Sequence, residues 1–218
     1  MAGRSVLVVA PHGLDEVLGC GGTMARHAAG GDRVCILILS GDGTGRDEAR
    51  RAAAGKAAAL LGAQAPEFCG LPENRLDTMA LSEVVGRIED AVRRHGPGTV
   101  YVSHGGNLNV DHQIAFRAAA TAIRPAPGQP VAQFYAYEVP SSTDWAVDGI
   151  GAAFRPQRFV DIGGYLGRKK SALELYGDEM RPSPHARSVE AVLGLAARRG
   201  AEIGLQAAEA FMVLRELA

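Results

Sequence analysis

Two residues three apart, His12 and Asp15, follow the apolar run Val6-Leu7-Val8-Val9-Ala10. An imidazole and a carboxylate so placed are a plausible pair of divalent-metal ligands. A second polar cluster, His104-Gly105-Gly106-Asn107-Leu108-Asn109-Val110-Asp111-His112, follows another apolar run, and a third contains Asp42 and Arg46. Two histidines and an aspartate with a fourth position open to water are the ligand count of a catalytic zinc site. Zinc there would lower the pKa of water toward ~7 and polarise a carbonyl oxygen, which is the chemistry of amide or ester hydrolysis. Each residue also has a plainer role open to it. His104 suits a turn cap, Asp111 suits the cap of the helix it precedes, and Asp42 and Arg46 suit a solvated loop. His27, His95 and His185 stand outside the polar clusters and read as surface residues, and Trp145 reads as a packing residue.

The elements that must position these groups are legible as alternating strands and helices. Val6 to Val9 is a continuous β-forming run, as expected of a strand buried on both faces, and Pro11 ends its ladder. Val17 to Ala29 has helical spacing and stops at Gly30-Gly31. Val34 to Leu39 is a second strand, opening into the glycine-rich loop 40–45. Asp47 to Leu61 is a helix, Glu67 to Leu71 a strand, Leu81 to Arg94 an amphipathic helix and Thr99 to Ser103 a fourth strand. A helix then runs to about Arg124. Four repeats of strand and helix predict an α/β fold, Rossmann-like, with a mostly parallel sheet and helices on both faces. Loops after parallel strands share one edge of such a sheet, so the clusters at 12–15 and 104–112 converge if their strands are neighbours. Beyond Pro125, Pro127 and Pro130, strands are expected at Gln133 to Val139 and Arg158 to Ile162. Helices are expected at Leu166 to Glu179 and Ser188 to Gly200, and helical spacing recurs in Gly204 to Leu217.

Composition narrows the classes. The chain has 218 residues, 47% hydrophobic and 22% charged, which suits one large core and a single domain over 1–218. A formal net charge of −1 offers no basic field for nucleic acid or an acidic membrane surface. No apolar run approaches membrane-spanning length, and the N-terminus has no secretory pattern. Three cysteines (Cys20, Cys35 and Cys69) without a CxxC pair read as reduced thiols in a cytoplasmic protein. The pattern GxGxxG does not follow the first strand, which argues against a nicotinamide or flavin cofactor.

The block Ala10-Pro11-His12-x-x-Asp15-Glu16-x-x-x-Gly19-Cys20-Gly21-Gly22-Thr23 resembles the opening motif of the LmbE-like, or PIG-L, zinc-dependent N-deacetylases. Further similar blocks are 71–77 (LPENRLD), 104–112 (HGGNLNVDH), 137–145 (YEVPSSTDW) and 179–182 (EMRP). The resemblance implies a Rossmann-like LmbE fold and a cytoplasmic hydrolase that removes acetyl groups from aminosugar conjugates. It also implies a Zn2+ (or other divalent) ion held by His12, Asp15 and His112, and assembly as trimers or hexamers. The expected partner is a small-molecule substrate, an N-acylated aminosugar conjugate, with no nucleic acid and no membrane.

Two positions depart from the family pattern. The family's His-Pro-Asp-Asp-Glu reads His12-Gly13-Leu14-Asp15-Glu16 here, so Leu14 occupies the position of the general-base aspartate. Leucine cannot accept a proton, and general-base assistance is typically worth ~10²–10⁴-fold. Asn107 stands where this version of the motif usually has Asp, removing a carboxylate partner for a ligand imidazole. Either the base is relocated, with Asp42, His104 and Asp111 as the candidates, or the chain keeps the metal pocket for a different reaction or for ligand binding. Arg46, Arg75 and Asp77 are assigned to polar substrate contacts, a structural loop role being equally open for the last two.

Overall fold

A computed structural model describes residues 3–41 and 45–217, with the side chains of Arg46 and Asp178 outside the description. Asp42 lies outside the described residues. β1 (Ser5–Ala10) and β2 (Arg33–Ser40) are buried along almost their whole length, as unalternating apolar runs require in a sheet covered on both faces. They are joined by α1 (Asp15–Ala29). α2 (Gly45–Leu61), β3 (Glu67–Leu71), α3 (Leu81–His95), β4 (Thr99–Ser103) and α4 (Val110–Ala122) complete the alternation. The remainder is β5 (Gln133–Tyr137), β6 (Arg158–Asp161), α5 (Leu166–Glu174), α6 (Val189–Ala201) and β7 (Ala208–Glu216).

The seven strands lie in the order β3-β2-β1-β4-β5-β7-β6. The first five strands in sequence are mutually parallel, and β7 runs antiparallel to both β5 and β6. Side chains alternate across the sheet, so each face carries its own core. Val6, Val8 and Ala10 join residues of α1, α2 and α5 on one face, whereas Leu7 and Val9 join residues of α3 and α4 on the other. The fold is therefore the expected one, with helices on both faces.

From β1 the chain moves outward through β2 to β3, then returns to place β4 on the opposite side of β1. The connections after β1 and β4 thus diverge at the carboxyl ends of neighbouring strands and leave a crevice between them. α1 packs closely behind that crevice. A Cβ on Gly19 would lie 2.1 Å from the Tyr137 ring, and one on Gly22 2.7 Å from Ile162, so both positions need glycine for the approach of helix to sheet.

The helical expectation for Gly204 to Leu217 is corrected: β7 fills this segment. A strand covered on both faces carries no alternation, so the spacing of Ala207, Ala208, Phe211 and Leu214 does not distinguish it from a helix. Pairing decides the matter, with Tyr137 opposite Phe211 and Arg158 also opposite Phe211. The helix expected to reach Glu179 stops at Glu174 and gives way to a turn in which Gly177 takes φ 48°. Among the described residues, no helix is long and apolar enough to cross a membrane.

Candidate metal centre

His12 and Asp15 occupy the tight turn between β1 and α1. The turn is closed by the Asp15 N–H donating to the His12 carbonyl at 3.3 Å, and Asp15 Oδ2 accepts the His12 N–H at 3.1 Å. The same Oδ2 lies 3.2 Å from His12 Nδ1 and 3.3 Å from His112 Nε2 on the first turn of α4. One donor atom from each of His12, Asp15 and His112 lies within 4.8 Å of the others. Ligands ~2.0–2.1 Å from a tetrahedral zinc are ~3.3 Å apart along an edge, so the two shortest spacings already suit a shared cation.

The surroundings select which imidazole nitrogens face the cluster. His12 Nε2 donates to Asp111 Oδ2 at 2.9 Å, which leaves Nδ1 directed at Asp15. The buried Asp111 carboxylate also accepts the Asn74 N–H at 2.6 Å and the Leu76 N–H at 3.0 Å. Burial works against its charge, but the hydrogen bonds from His12 and these amides hold its pKa below the usual carboxylate range. Burial likewise opposes charge on His12, yet hydrogen bonds to Asp111 and Asp15 and their charges outweigh it and raise the imidazole to about 9. Asp15, despite its burial, is held well below the carboxylate range by the two histidines, His112 first. Asn107 faces His112 Nδ1 at 2.9 Å, and its carbonyl oxygen accepts from Thr143 Oγ1 at 2.6 Å. With its oxygen engaged by Thr143, the Asn107 amide donates from Nδ2 to His112 Nδ1, which puts the His112 proton on Nε2 facing Asp15; His112 offers the Nε2 lone pair to a cation only with the Asn107 amide turned to accept from Nδ1. The helix cap expected of Asp111 is provided by Asn109, whose side chain accepts the Asp111 N–H.

The cluster opens into a cavity of about 440 Å³ lined by His12 to Asp15, Arg50, Glu73, Asn74, Asn109, His112, Ser141, Trp145, Glu179 and Arg187, among others. Leu14 contributes to this wall and is 1% exposed, with its side chain in the core beside Val17 and Leu18. Its φ of 92° and ψ of −34° lie outside the left-handed helical region that non-glycine residues occasionally adopt. The next residue but one, Glu16, is buried against the Tyr176 hydroxyl, and burial pushes its carboxyl up to about 7. Apart from Asp15, the acids lining the cavity are Glu73 and Glu179, which flank Arg50 at 2.8 Å and 3.6 Å.

The remaining sequence candidates are dispersed. His104 is buried, donates from Nε2 to the Ala152 carbonyl at 2.8 Å and lines a separate cavity, where its ring meets Phe154 edge-on. Its Nδ1 has no hydrogen-bond partner among the described residues, and burial lowers its pKa. Arg75 and Asp77 are exposed and outside the cavity lining, whereas Glu73 and Asn74 of the same loop contribute to it. The Arg46 side chain, like Asp42, falls outside the description.

Trp145 does not pack inside the protein: it is 49% exposed and stands at the cavity wall against His185. His27 and His95 are half-buried rather than free surface residues, the first between Asp32 and Tyr101 and the second between Glu67 and Cys35. Arg50 and Arg187 are not singled out in the sequence, and Glu179 stands there only as the first residue of the block 179–182, with no role attached. Arg50 lies in an alanine-rich helix and the other two in or near irregular loops, where no periodicity points to them.

Comparison with known proteins follows the same lines. A protein-family model described as PIG-L: GlcNAc-PI de-N-acetylase matches residues 7–123, which include all three cluster residues. "Uncharacterized deacetylase YaiS" of Escherichia coli (strain K12) is 25% identical over 166 residues, covering 73% of this chain and 82% of that protein. Among solved structures, the conserved protein TT1542 from Thermus thermophilus superposes with a TM-score of 0.79 at 28% identity, over 100% of this chain and 97% of that one. GalB, the 4-carboxy-2-hydroxymuconate hydratase of Pseudomonas putida KT2440, superposes with a TM-score of 0.77 at 25% identity, over 99% and 98% respectively.

Proposed function

The chain belongs to the PIG-L (GlcNAc-PI de-N-acetylase) family, and on that footing we propose that it is a divalent-metal-dependent hydrolase of an amide C–N bond. The substrate in this reading is an N-acylated, aminosugar-containing small molecule, and zinc is the first choice of metal. The observation that carries it is the convergence of His12 Nδ1, Asp15 Oδ2 and His112 Nε2 in the lining of a cavity large enough for a small molecule. The donor set fits a catalytic ion, because two imidazoles and one carboxylate leave a position open. Such an ion supplies Lewis acidity, acidifying water and polarising the acyl carbonyl.

The protein's own groups do the rest. Asp111 keeps the proton on His12 Nε2 and so keeps the Nδ1 lone pair toward the ion, a carboxylate–histidine support of the ligand shell. Leu14 can neither take a proton from water nor orient it. Among the described residues, Glu73 and Glu179 are the carboxylates left with access to the cavity, so a relocated base draws on them or on Asp42. Asp111 is committed to His12 and two backbone amides, and His104 lines the neighbouring cavity, which makes both less suited to that role. Three free cysteines support a reducing, cytoplasmic setting.

A second reading is favoured by one specific feature, the buried leucine at position 14. It keeps the fold and the metal pocket for a reaction other than deacetylation, and the resemblance to a protein named as a hydratase supports that alternative. Assays on a panel of N-acetylated aminosugars and small amides separate the two. Turnover by the natural chain that His112→Ala abolishes is the result expected for a relocated base. An inert natural chain that gains N-acetyl hydrolysis on Leu14→Asp, by a factor of the order of 10²–10⁴ over background, would replace it with the second reading.

A further inference from the structure

Two arginines line the metal cavity, and they differ in one respect. Arg50 is charge-matched, with Glu73 at 2.8 Å and Glu179 at 3.6 Å. Arg187 has no ion-pair or side-chain hydrogen-bond partner among the described residues; its Nε is buried without an acceptor, as is that of Arg50, so the missing carboxylate partner is what sets it apart. A buried, unsatisfied guanidinium N–H is costly. Arg187 also directly precedes Ser188, the N-cap of α6, where the positive end of the helix dipole disfavours a cation. An anion bound beside Arg187 would relieve both penalties together.

The residue is also held in place. Its N–H donates to His185 Nδ1 at 3.0 Å, and its carbonyl accepts the Arg181 N–H at 3.2 Å. The His185 ring in turn meets Trp145 edge-on, with 5.2 Å between centroids, and Trp145 lines the same cavity. The cavity lining therefore combines the His12–Asp15–His112 cluster with an unpaired arginine on an anchored backbone and a half-exposed indole. A planar fork of N–H donors is best matched by a carboxylate, which it can bind through two parallel hydrogen bonds.

We propose that Arg187 is a specificity-determining residue that receives a carboxylate of the substrate, so that the natural substrate class is an anionic, carboxylate-bearing small molecule. This rests on the reading of the cavity as a metal-dependent substrate site, and the test separates the two. Zinc-loaded protein is titrated calorimetrically with acetohydroxamate and hexanohydroxamate, which offer only a metal-binding head. The monohydroxamates of succinic, glutaric and adipic acids add a terminal carboxylate at increasing reach.

The expected result is that at least one carboxylated probe binds about tenfold or more tightly than the uncharged ones, as a charge-assisted bidentate contact provides. In Arg187→Gln the affinities converge, and in Arg187→Lys part of the preference returns. Zinc stoichiometry and circular dichroism are followed in each variant, to exclude misfolding. If the uncharged hydroxamates bind, yet no carboxylated probe binds more tightly or the preference persists in Arg187→Gln, the role of Arg187 is overturned while the metal site stands. If no hydroxamate binds the natural chain, the cavity reading falls and takes this proposal with it.

Discussion

His12 sits between two carboxylates, and only one of them leaves it free to hold a cation. The bond from Nε2 to Asp111 fixes the proton on the far side of the ring, whereas Asp15 competes with any ion for the near side only until the ion shares it. Asp111→Asn is therefore expected to weaken metal binding by ~10–100-fold, read by competition against a chromogenic chelator; an unchanged affinity would remove the supporting role given to Asp111. The raised His12 pKa adds a dependence on pH. In the metal-free protein His12 moves from 6.5 to about 9, so its protonated form stabilises the fold below 6.5 and that contribution is lost as pH rises toward 9. Metal binding must displace the Nδ1 proton, so apparent affinity should climb by roughly tenfold per pH unit across this window and flatten above it. Titrations at several pH values check the slope. His12 and Asp15 are legible in the sequence as a pair following a strand at the edge where parallel sheets collect ligands, whereas His112 is separated from His104 and Asp111 only by the resemblance of 104–112 to the family's motif. Arg50 and Arg187 are not legible, since their significance comes from what they face across the cavity.

At the level of elements, α1 carries the site at its start and is tied down near its middle. Glu209 on β7 accepts the Gly22 N–H at 2.9 Å and the Thr23 N–H at 2.7 Å, and it pairs with Lys169 of α5 at 2.6 Å. Lys169 Nζ also donates to the Leu18 carbonyl at 2.8 Å. This buried pair joins α1, α5 and β7. Lys169→Met should cost ~3–5 kcal/mol in urea unfolding, because it strands a buried carboxylate, whereas Lys169→Met combined with Glu209→Gln should recover much of that loss. A single variant with near-natural stability would mean that Glu209 is relieved in some other way. Neither partner is legible in the sequence, because the segment of β7 carries helical spacing and the pairing depends on a strand there. The alternation of β1 to α4 was legible since each strand is a short apolar run bounded by glycine or polar residues. The C-terminal part is antiparallel and out of sequence order, and local pattern carries no information about that.

Across the whole molecule, strand order places the chemistry. The reversal that puts β1 beside β4 brings residues 12–15 and 111–112, a hundred positions apart, to one crevice, and the Asn74 and Leu76 amides of the loop after β3 brace Asp111 from a third side. On the reading proposed above, Leu14 stands where the family's motif carries a proton acceptor, while the family's fold is kept around it. The reaction is open to that change in a way that the metal site is not, so the ion is the central claim. The most direct test is metal analysis of the chain purified without chelators, alongside His112→Ala. One divalent ion per natural chain is expected, with a raised melting temperature that chelation removes, and His112→Ala should fold but lose the ion. A natural chain free of stoichiometric metal, whose melting temperature zinc does not shift, would contradict the account.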